Sequence, residues 1–119
     1  MFLKNLRTSK LGAECFGIIR GIEPTGVTIN ERPEYRAKVE IVNPNTMLTE
    51  RVDEVIGTNY FEYPVNSYIK CKYFEGDINI EDILIEEMVP EYIRKRFEQA
   101  KHTTTNIIFG NGLNFDKES

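Results

Sequence analysis

The chain predicts a mainly β domain: a small five-stranded antiparallel barrel or curled sheet, with one C-terminal helix and a tail. Three observations carry that prediction. Short apolar or alternating segments recur at hairpin spacing, near residues 12–22, 34–42, 47–56, 67–74 and 78–86. Clusters rich in Gly, Pro, Asn and Asp separate them. Only residues 90–101 follow a helical period with a start signal. At 119 residues the chain is one domain. We divide it into an N-terminal arm (1–11), a β-barrel (12–88), a helix (89–101) and a tail (102–119).

The first strand, "GAECFGIIRGI", is apolar, and Gly17 marks a bend. The stretch that follows, "PTGVTINERPEY" at 24–35, is expected to be the corner into the next strand. Gly26 supplies a positive-φ position after Pro24. Val27 and Ile29 are expected to pin the corner to the core. Asn30 offers local hydrogen bonds to the backbone, and Pro33 starts the second strand where no amide donor is needed. "EYRAKVEIV" at 34–42 alternates cleanly. Tyr35, Ala37, Val39 and Ile41 share one face; Arg36, Lys38 and Glu40 share the other. "NPNT" turns the chain. "MLTERVDEVI" at 47–56 reads as a strand with a bulge, with a helix as the competing reading, because Leu48 and Val52 share a parity that Val55 breaks.

A loop with Pro64 leads to "SYIKCKYF" at 67–74, where Ile69, Cys71 and Tyr73 oppose Tyr68, Lys70, Lys72 and Phe74. "EGD" turns into "INIEDILIE". This segment predicts the last strand, against a helix capped by Asn79 with Asp82 at the capping-box position. In "PEYIRKRFEQAK" Pro90 suits the first helical position, Ile93, Phe97 and Ala100 form an apolar stripe, and Glu91 precedes Lys95 by one turn.

The net charge of −4 gives no general attraction to nucleic acid or anionic lipid. Cys15 and Cys71 lie in apolar segments and read as buried, reduced thiols of a cytosolic protein. With one histidine, His102, they make a poor zinc set. The N-terminal segment has no apolar run long enough for a signal peptide or membrane span.

The corner residues Thr25, Gly26, Ile29, Asn30 and Pro33 spell "TG..IN..P". Lys72, Tyr73 and Asp77 loosely follow a second stretch, "V.YDP.DP..V.L", in which Phe74-Glu75-Gly76 replaces the usual Asp-Pro pair. Over about residues 12–85 the chain resembles a family of small bacterial β-barrel domains of unknown function. The resemblance implies a barrel joined at this corner. It carries over no catalytic residue. Members of that family are often attached to membrane spans or other modules.

Chemistry-bearing patterns are weak. Gly17, Gly21 and Gly26 lack the phosphate-loop spacing and the helix that should follow. Asp77, Asn79, Glu81 and Asp82 sketch a calcium loop, but Asp82 stands where an EF-hand needs glycine. His102, just past the helix, has no exposed cysteine to activate. Seven acids between Glu75 and Glu91, with no base among them, argue against nucleic acid on that face and suit a basic partner. The expectation is therefore a non-enzymatic interaction or adaptor module of a bacterial cytoplasm, with no cofactor and no metal. The alternative is a single-stranded nucleic-acid-binding barrel. Its platform would be Tyr68, Lys70, Lys72 and Phe74, with Arg36 and Lys38 on a neighbouring strand and Tyr60, Phe61 and Tyr63 in the preceding loop. Tyr68, Lys70, Lys72 and Phe74, together with Ile107, Ile108 and Phe109 of the tail, form the candidate interaction surface. The tail's apolar residues are expected to dock on a protein partner or mediate self-association.

Overall fold

Alternating residues need one face buried, and this chain buries both faces of one sheet in turn. The structure, a computed structural model, describes residues 11–100. It contains β1 (Ala13–Ile29), β2 (Arg32–Val42), β3 (Thr49–Gly57), β4 (Tyr68–Phe74) and β5 (Asp77–Leu84). Short 3₁₀ turns lie at Tyr60–Glu62 and Glu86–Met88, and α1 occupies residues 91–100. The strands form a single antiparallel sheet in the order β3-β2-β1-β4-β5. Both segments with a competing helical reading, 47–56 and 78–86, contain strands.

The edges β3 and β5 run parallel and converge. The sheet is curled and not closed: no β3–β5 ladder forms. Across the seam, Glu54 of β3 accepts a hydrogen bond from the Ile80 amide of β5 at 2.9 Å.

The curl follows from bulges. Arg20 is the extra residue between the Ile19–Val39 and Gly21–Lys38 pairs, so Ile19 and Ile22 both meet inward partners. Ile56 is extra between the Val55–Arg36 and Gly57–Tyr35 pairs. Glu81 is extra between Ile80–Cys71 and Asp82–Lys70, which switches β5 from inward Ile80 to outward Asp82. Each bulge bends its strand and adds twist.

Two cores result, one on each face. Inside the curl lie Cys15, Ile19, Ala37, Val39, Ile41, Ile69, Cys71 and Ile78, with Tyr63 and Tyr73 packed against them. On the outer face Ile18, Val42 and Leu84 meet Val89, Ile93 and Phe97 of the helical segment. Pro90 stands one position earlier than expected. It is the capping residue whose carbonyl receives the Ile93 and Arg94 amides, and the helix follows it. The Glu91–Lys95 pair closes at 3.6 Å.

The stretch 24–35 differs from expectation. β1 does not stop near residue 22. It continues to Ile29 and returns through Asn30 and Glu31, at φ 51° and 66°, as a two-residue type I′ turn. β4 pairs only as far as Ile18 and β3 only as far as Tyr35, so the end of this hairpin has no third strand. Val27 and Ile29 are 53% and 42% exposed and do not pin anything to the core. Gly26 does take a positive φ, 93°, but within a bulge of β1 and not at the corner. Thr25 makes the local bonds instead. Its hydroxyl accepts from the Val27 amide at 3.2 Å and donates to Glu34 at 2.8 Å.

At Gly17 residues of β2 pack tightly against the backbone of β1. A methyl group there would lie 2.9 Å from Val39 Cγ1, 3.0 Å from the Glu40 carbonyl and 3.0 Å from Ile41 Cγ2. Gly17→Ala is therefore expected to lower stability by about 1–3 kcal/mol, read from urea unfolding at constant slope.

Candidate interaction surfaces

The outer faces of β1, β2 and β3 carry alternating charges, and several of them pair across the strands. Arg20 binds Glu40 through Nε at 2.8 Å and through Nη2 at 2.7 Å. Glu23 receives Arg36 at 3.3 Å and Lys38 at 3.8 Å, and Lys38 also lies 3.8 Å from Asp53. The Arg36 Nε contact is an ion pair by distance only; the nitrogen is buried without a hydrogen bond in line. A face of interleaved opposite charges holds little net attraction for a polyanion.

The expected aromatic and basic platform on β4 is divided by its neighbours. Tyr68 lies under α1, its ring 6.1 Å from that of Phe97. Desolvation and the nearby Glu86 raise its phenol pKa. Lys70 is joined to Glu14 at 2.9 Å. That bond and charge hold the Glu14 carboxyl below the ordinary glutamate range and Lys70 above the ordinary lysine value. Lys72 lies opposite Glu14 in register, and Phe74 ends the strand half-buried. Arg36 and Lys38 are on β2, which β1 separates from β4. Tyr68, Lys70, Lys72 and Phe74 thus share a face, with Tyr68 under α1 and Lys70 joined to Glu14. Ile107, Ile108 and Phe109, and His102, lie outside the described residues.

The acidic stretch does not converge. Asp77 opposes Phe74, Asn79 opposes Lys72, Glu81 is the bulge and Asp82 opposes Lys70. Among the described residues no group of three or more His, Cys, Asp or Glu is placed to hold a metal ion.

Cys15 and Cys71 face each other across β1 and β4 inside the core, both as free thiols. The Cys71 thiol donates to the Cys15 carbonyl at 3.5 Å. Its neighbour Cys15 and burial push the Cys71 pKa strongly upward, the reverse of what a nucleophile needs.

Three features had weak or no sequence signals. Asn43 ties the β2–β3 turn together: its amide donates to Glu50 at 2.7 Å and to the Tyr73 hydroxyl at 3.1 Å, while its Oδ1 accepts from the amides of Asn45 and Thr46. "NPNT" signals the turn but not the long-range partner. Glu54 faces inward opposite Ala37, a place alternation assigns to an apolar residue. Tyr35 of β2 stacks on Tyr60 of the 3₁₀ turn, with centroids 4.8 Å apart and planes at 16°. Phe61 stands beside Tyr60 at 83°, with centroids 6.2 Å apart. The loop aromatics were visible in sequence; their partner on β2 was not.

Comparisons with known protein families, with curated proteins and with solved structures returned no match. No helix among the described residues is long and apolar enough to cross a membrane.

Burial predicts the thiol chemistry. Neither cysteine is expected to react with iodoacetamide in the native protein near neutral pH, and both should react in denaturant. Rapid native labelling of Cys71, read by mass spectrometry, would contradict its placement.

Proposed function

We propose that this protein is a non-enzymatic interaction or adaptor module of the bacterial cytoplasm. The observation that carries this reading is the exposure of large apolar side chains on the projecting hairpin and on the loop after β3. Val27 and Ile29 lie on the projecting hairpin, and Tyr60, Phe61 and Val65 lie on the loop after β3. Tyr35, at the hairpin's base and opposite Pro24, joins the two through its stack with Tyr60. Exposed apolar clusters of this kind mark contact surfaces for other macromolecules.

The small bacterial β-barrel family suggested by "TG..IN..P" belongs to the same proposal, with its motif residues on the projecting hairpin. So does self-association or partner binding through the tail, including Ile107, Ile108 and Phe109.

The second reading, a single-stranded nucleic-acid-binding barrel, has one observation in its favour. The strand order with β3 and β5 converging is that of partly open five-stranded barrels, a group that includes oligonucleotide binders. The paired charges of the outer face weigh against it.

Two measurements separate the readings. Titration with labelled oligonucleotides should show no binding at low salt; tight binding that weakens steeply with salt would establish the second reading instead. Removing residues 103–119 should lower the solution mass from an oligomer to a monomer if the tail mediates self-association. An identical monomer before and after removal would eliminate self-association through the tail.

A further inference from the structure

The loop between β3 and β4 carries an aromatic corner of defined geometry. Tyr60 is braced by its stack on Tyr35, and Phe61 stands nearly perpendicular beside it. Tyr60 is 46% exposed and Phe61 69% exposed, so the corner opens to water. Leaving such rings exposed gains nothing for the fold.

The charge around the corner is negative. Residues 57–69 contain Glu62 and no Lys or Arg. Tyr63, next in the chain, has its phenol pKa raised first by desolvation and then by both Glu54 and Glu62. Glu54 of β3 and Glu62 of the 3₁₀ turn thus both lie near enough to Tyr63 to act on its phenol. The cation next to Tyr35, Arg36, lies 3.3 Å from the Glu23 carboxylate. Aromatic faces in a negative field attract cations, and a planar guanidinium stacks on them better than an ammonium does. A phosphate backbone meets repulsion at the same place.

We propose that Tyr60, Phe61 and Glu62 form a docking site for an arginine-bearing segment of another protein. This rests on the interaction-module reading and names its partner class.

The test is an amide chemical-shift titration of the full-length protein with four probes. These are an Arg-Gly repeat peptide, a Lys-Gly repeat of equal charge, a proline-rich peptide and oligothymidylate. The Arg-Gly peptide should shift the amides of residues 57–65 and bind several-fold more tightly than the Lys-Gly peptide. Phe61→Ala should weaken it about tenfold. Glu62→Gln should weaken it as well. Both side chains are exposed, and an unchanged amide spectrum elsewhere verifies the fold. Equal binding of the two basic peptides, unaffected by Phe61→Ala, would reduce the effect to general attraction by an acidic chain and overturn the proposal. Preferential shifts by the proline-rich peptide, or no shifts by the Arg-Gly peptide, would also overturn it while leaving the interaction-module reading standing. Tight oligothymidylate binding would defeat both.

Discussion

The bond from the Ile80 amide to Glu54 sits where the curled sheet brings its two edges together. Five antiparallel strands cover an inner core only if the sheet curls far enough to bring β3 back to β5. At that point the two edges do not pair through their backbones. An edge amide buried at this seam without a partner would cost about 1–3 kcal/mol. Glu54 removes that cost by reaching from the inner face of β3 to β5. The carboxylate bridges the two edges where no backbone ladder forms, so the sheet stays curled and open.

The rest of the architecture serves the same curl. β1 pairs with β4 along its first part and with β2 further on, and its bulge at Arg20 lets the strand change direction between the two. Gly17 lies just before that bulge and admits the close approach of β2. The bulge at Glu81 turns β5 so that Ile78 and Ile80 serve the inner core while Leu84 serves the outer one with α1. A strand as long as β1 overruns its neighbours, and the excess becomes the projecting hairpin. Exposure of Val27 and Ile29 is thus a consequence of strand length, and with Tyr60 and Phe61 it supplies the apolar surface on which the functional reading rests.

Much of the fold was legible in the residues. Perfect alternation in 34–42 located β2 and its inward side chains, because one regular face is buried along most of its length. The Pro-Glu-Tyr start and the Ile93–Phe97 spacing located α1. What alternation could not resolve were the bulged strands. In "INIEDILIE" the extra residue at Glu81 breaks the period and leaves apolar spacings that imitate a helix. The break at Val55 in β3 was readable as a bulge, and one lies next to it. The corner stretch was misplaced for a different reason. Its turn signals are real, but Pro24, Thr25 and Gly26 build a bulge inside a hairpin whose turn comes later, at Asn30 and Glu31. Which residues are left without a third strand depends on where β3 and β4 end, and that is a property of the assembled sheet. The same limit applies to the surface. Tyr68, Lys70, Lys72 and Phe74 do share a face, but the helix and Glu14 that occupy it come from distant parts of the chain.

Hydrogen exchange at the Ile80 amide tests the seam most directly. The account predicts strong protection in the wild-type protein, comparable with core amides of β4. Glu54→Ala should lower protection at Ile80 about tenfold or more while the amide of Ile69 stays protected, and Glu54→Gln, which keeps an acceptor oxygen, should restore most of it. Equal Ile80 exchange in wild type and Glu54→Ala would contradict the claim that this carboxylate holds the two edges of the sheet together.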